Sequence, residues 1–75
     1  MANQLEEELK AAIGHFVGIR VMYPDGERDY HDGVLEKVTQ ECIIVRSIVT
    51  HIINRHVAQI IELQVERSFR VKPTS

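Results

Sequence analysis

A single cysteine, Cys42, stands in this 75-residue chain, so no disulfide can form within it. Its apolar neighbours Ile43, Ile44 and Val45 predict a buried thiol in a reducing compartment. Cationic charge is also scarce: nine Lys and Arg stand against eleven Asp and Glu, for a formal net charge of −2. That balance excludes a strongly basic nucleic-acid binder but leaves room for a local basic face. No apolar run approaches the roughly 18 residues of a membrane span. The acidic N-terminal segment is unlike a signal peptide, so a cytoplasmic location away from the membrane is expected. Turn formers are few as well: the four Gly and two Pro leave residues 34–72 without either. Flat hairpins depend on such residues, so their absence favours a continuous, strongly curved sheet.

What is present is strand-type sequence behind one short helix. Asn3 is a good N-cap, Glu6 completes a capping box, and Glu6, Glu7 and Glu8 suit the positive end of a helix dipole. Leu5, Leu9, Ala12 and Ile13 share one apolar face and Gly14 is a natural stop, which predicts a helix over 3–14. A first strand is expected over 16–23, with Val17, Ile19 and Val21 on one face and Gly18, Arg20 and Met22 on the other. Pro24, Asp25 and Gly26 make a turn. A second strand follows over 28–39, within which Asp32-Gly33 reads either as another tight turn or as a bend in one long strand. Further strands are expected over 41–47, 48–54 and 57–65. A helical stretch within 48–64 is the alternative that the spacing of Ile48, Ile52, His56 and Gln59 leaves open, against a high β-branched density.

A chain of this length forms one domain and buries only about 60% of its unfolded surface. With disulfides excluded, self-association is the expected stabilising device, and pairing between open sheet edges would supply it. The division is a domain over 1–66 and a basic extension over 67–75 carrying Arg67, Arg70 and Lys72.

The order of one helix and five bent strands resembles the Sm-like fold. Asp25-Gly26 followed by Gly33-Val34-Leu35 resembles the first Sm motif, and Ile53-Asn54-Arg55-His56 with the apolar run to Leu63 resembles the second. Within that superfamily the likeness is greatest to the Hfq family of bacterial RNA chaperones. The resemblance implies a mostly β fold, a small five-stranded SH3-like barrel, closed into a homo-oligomeric ring of about five to seven subunits. It implies pairing of the fourth strand of one subunit with the fifth of the next. It also implies single-stranded RNA binding near the pore without catalysis. On this alignment Gln40 falls on the glutamine lining one RNA face of Hfq, and Arg55-His56 on its Lys-His pair, which contacts uridine and phosphate. Asn54 stands where Hfq has a tyrosine, and Glu41 where Hfq has the aromatic that stacks uridine. Residues 11–15 lack the arginines of the Hfq rim.

The expected RNA contacts are therefore Gln40, Asn54, Arg55 and His56. Repeated around a ring, Arg55 would gather into a shared positive field, and Gln40 offers both donor and acceptor to a base edge. The plainer reading of Arg55-His56 is a polar turn, and of Gln40 a solvated strand end. His15, His31, His51 and His56 lack zinc-type spacing, so no metal is expected. Asp29, Asp32 and Glu36 have no accompanying nucleophile, so neither catalysis nor a cofactor is expected. The Hfq departures support a second reading, a ring that serves assembly or protein interaction without RNA.

Overall fold

The computed structural model describes residues 4–66. Asn3 and the basic extension therefore lie outside the described residues. Helix α1 spans Gln4–Ala11, with Glu6 and Glu7 in its first turn and Lys10 in its last. Leu9 and Ala12 are sealed in the core and Leu5 packs against it. The helix stops before Ile13, which is exposed and outside the expected apolar face. Gly14, at φ 93°, turns the chain. Its N–H donates to the Leu35 carbonyl at 2.8 Å, while Leu35 N–H donates to the His15 carbonyl at 3.0 Å. The helix exit is thereby tied to the middle of the sheet.

Five antiparallel strands follow: β1 (Phe16–Met22), β2 (Arg28–Val38), β3 (Cys42–Arg46), β4 (Thr50–Asn54) and β5 (Gln59–Val65). Val17, Ile19 and Val21 are fully buried on one face of β1, as their alternation predicts. The turn between β1 and β2 closes as expected, with Gly26 at φ 91° and Glu27 N–H donating to the Asp25 carboxylate at 3.0 Å.

β2 runs unbroken through Asp32-Gly33, so the bend reading of that dipeptide holds. Its first part pairs with β1 and its second with β3, with Val34 common to both ladders. Gly33 makes this possible. It sits at φ 150°, and a Cβ there would lie 2.5 Å from the Arg46 carbonyl oxygen. Register shifts at Arg20/Val21 and at Leu35/Lys37 add local twist.

The strand order is β4-β3-β2-β1-β5, and no ladder joins β4 to β5 among the described residues. The sheet is thus open in its hydrogen bonding, with β4 and β5 as its two edges, and does not close into a barrel within one copy. It is not flat. Four strand spacings would put the edges about 19 Å apart. The connection from Asn54 to Gln59 is far shorter, because Ala58 N–H donates back to the Asn54 carbonyl at 2.9 Å. The sheet must curl for that turn to reach from one edge to the other. Across the curl the rings of His31 and His51 lie 5.1 Å apart.

The core consists of Leu9, Ala12, Val17, Ile19, Val21, Leu35, Ile43, Val45, Ile53 and Ala58. Cys42 is only half-buried, contrary to the expectation of an enclosed thiol. Alternation along β3 gives the inner face to Ile43 and Val45, which leaves Cys42 and Ile44 on the other. The fourth strand starts later than expected, and residues 47–49 form a bend before it. No part of 48–64 is α-helical. Among the described residues no helix is long and apolar enough to cross a membrane.

Candidate functional site

The polar break after β4 forms a turn built on Asn54. Its side-chain oxygen accepts from His56 N–H at 2.9 Å, and its carbonyl accepts from Val57 N–H at 3.1 Å and Ala58 N–H at 2.9 Å. This is an Asx-type turn, and it replaces the missing Gly and Pro chemistry. The loop from β2 to β3 is closed in a similar way by Thr39. Its hydroxyl donates to the Cys42 carbonyl at 3.1 Å and accepts from Glu41 N–H at 3.1 Å and Cys42 N–H at 3.0 Å.

Arg55 joins these two loops to the helix. Its backbone N–H donates to the Glu41 carbonyl at 2.9 Å. Its guanidinium donates to the Thr39 carbonyl at 2.8 Å and, through both terminal nitrogens, to the two carboxylate oxygens of Glu6; the contact to Oε1 is 3.1 Å. The fork of the guanidinium matches the carboxylate, and such charge-assisted pairs are the stronger hydrogen bonds of proteins. The Arg55 side chain is 15% exposed and that of Glu6 29%. The pair is therefore partly shielded from water. The hydrogen bond from Arg55 pulls the Glu6 carboxyl below its ordinary titration range; partial burial opposes this, and the charges of Arg55 and Lys10 reinforce it.

Two shallow grooves flank this ion pair. One is bordered by Lys10, Thr39, Gln40 and Arg55. The other is bordered by Arg55, His56, Val57 and Gln59, with Leu5 beneath. Gln40 and Arg55 thus share one groove and Arg55 and His56 the other, while exposed Asn54 lines neither. Gln40 and His56 are exposed, so each can meet a ligand. Arg55 is already engaged, and an anion reaching it must compete with Glu6.

Sequence reasoning missed two participants. Glu6 reads in sequence as a helix-dipole residue, and nothing in its spacing reveals a partner 49 positions away. Lys10, the cation beside Gln40, is visible as the sole basic residue of α1, though without a hint of which loop it meets. Two of the other acidic residues singled out in the sequence serve ordinary contacts. Glu36 pairs with Arg46, and Asp29 lies 3.6 Å from His31. Among the described residues no three His, Cys, Asp or Glu side chains gather into a metal-binding group. Comparison with family models, curated proteins and solved structures found no match to this chain.

Proposed function

We propose that this chain is a non-catalytic subunit of an Sm-like homo-oligomeric ring, of about five to seven copies, that meets single-stranded RNA at the turn after β4. The observation that carries this reading is the strand order β4-β3-β2-β1-β5 behind a short helix, in a sheet curled until its two edge strands are joined by one tight turn. Those edges are the ones an Sm-like ring pairs between neighbours. Among the described residues each has a ladder on one side only, and apolar residues accompany them: Ile52 is 66% exposed on β4 and Ile61 38% on β5. Edges of this kind are covered in native proteins.

In this reading Asn54 and Arg55 build the turn, while Gln40 and His56 offer polar contact to a base or a phosphate. Arg55 holds the geometry, and its charge is largely spent on Glu6. Few phosphates are then neutralised per subunit, so affinity depends only shallowly on salt. The same ion pair, together with exposed Glu41, favours the second reading, a ring that assembles without RNA.

Native mass spectrometry and fluorescence anisotropy separate the possibilities. The expected result is a ring that binds short uridine-rich or adenine-rich RNA at micromolar protein, with His56→Ala and Gln40→Ala each weakening binding several-fold. A ring with no binding at either of two salt concentrations leaves only the second reading. A monomer at micromolar concentration overturns both.

A further inference from the structure

An apolar tip and a groove with one apolar side lie at opposite edges of the sheet. The tip is the bend of residues 47–49 between β3 and β4. Ile48 is 97% exposed and Val49 58%. Ser47 N–H donates to the Val49 carbonyl at 2.9 Å, so the tip is a formed turn that presents Ile48 outward. An isoleucine held in water forgoes a large burial term, and apolar side chains grouped on a sheet edge mark an interface. The groove runs between α1 and β5. Leu63, Val65 and Ala11 give it an apolar half, and Gln4, Glu7 and Glu8 form its polar half on the helix side.

The direction of the strands brings these two features together. When β4 of one copy lies antiparallel beside β5 of another, the Thr50 end of β4 meets the Val65 end of β5. The tip immediately precedes Thr50, so it falls at the Leu63–Val65 end, where the groove is. A parallel arrangement would send it to the Gln59 end instead. Within one copy the tip is not in its own groove, since Ile48 is almost wholly exposed. Residues 47–50 also carry no charge, so the tip itself brings no ionic group into the groove.

We propose that Ile48 of one copy docks in the groove between α1 and β5 of the next copy and anchors that contact. The proposal rests on the ring reading above. Each copy has one tip and one groove on different surfaces, so the contact is head-to-tail and is completed by ring closure. Backbone pairing along the short β4 fixes the register, and Ile48 supplies a buried apolar anchor at its end.

Two variants test this. Ile48→Asp, folded by circular dichroism because the site is exposed, should raise the concentration for half-assembly at least tenfold in native mass spectrometry. In a Cys42→Ser background, Ile48→Cys combined with Ala11→Cys should give, under mild oxidation, a ladder of covalent oligomers on a non-reducing denaturing gel. Neither single cysteine should do so. If the unaltered chain forms rings, Ile48→Asp assembles as well as wild type and no ladder appears, the docking proposal falls while the ring stands. If the unaltered chain is a monomer, both fall.

Discussion

Arg55 is a residue whose position was legible in the sequence and whose employment was not. The polar break in a β-branched run marked the turn, and Asn54, Arg55 and His56 do form it. Arg55 nevertheless turns inward to Glu6 and the Thr39 carbonyl, because three segments converge there and only a fork of donors satisfies them together. Removing it leaves the Thr39 carbonyl and Glu6 without that partner, so Arg55→Ala should cost about 2 kcal/mol in urea denaturation. Arg55→Lys should recover only part, since an ammonium cannot match the carboxylate side by side. The pair also sets a pH dependence. Glu6 titrates lower in the folded chain than in the unfolded one, so the unfolded chain binds more protons between the two values and stability rises with pH there. Its contribution is complete above the ordinary glutamate range, roughly pH 4.3, and is lost as pH falls through the folded value. Thermal melts from pH 3 to 7 should show this loss in wild type and a shallower acid limb in Glu6→Gln. An unchanged acid limb in that variant would contradict the assigned role of the pair.

At the scale of the element, most boundaries were legible because period-two alternation and the Pro24–Gly26 turn are local signals. The β3–β4 connection was not. Ile48 and Val49 have strand-type side chains, yet they form the tip, because a hairpin must reverse somewhere and this segment contains no Gly or Pro to advertise where. Gly33 was read as a turn or a bend, and packing decides the matter: the bend lets β2 hand its pairing from β1 to β3. Gly26 and Gly33 both have positive φ, but a Cβ on Gly26 would meet open space, whereas one on Gly33 would strike the Arg46 backbone and the Val45 side chain. Gly26→Ala should therefore pay only for its backbone conformation, about 1 kcal/mol. Gly33→Ala adds a backbone collision to its strain and should lose more than about 3 kcal/mol or fail to fold. Chemical denaturation of the two variants gives the order directly, and equal losses would mean that β2 does not bend tightly against β3.

For the whole molecule the decisive quantity is how little is enclosed. Among the described residues the core depends on ten buried apolar side chains, while Ile48, Val49, Ile52 and Ile61 remain exposed on or beside the two edge strands. Composition pointed to self-association, but only the strand order shows which surfaces are left over, and that order depends on long-range pairings that no local pattern encodes. A ring that buries those residues makes folding a mass-action process. For an assembly of several subunits, a tenfold dilution then removes about 1 kcal/mol per subunit. In a domain of this size that lowers the melting temperature by about 4–8 °C. Scanning calorimetry over a hundredfold range of protein concentration should show this decline in wild type. Ile48→Asp, whose assembly is weaker, should melt lower than wild type at the same concentration. A wild-type melting temperature that stays fixed across the range would mean that the monomer is sufficient to itself, and that the exposed edges serve some purpose other than holding copies of this chain together.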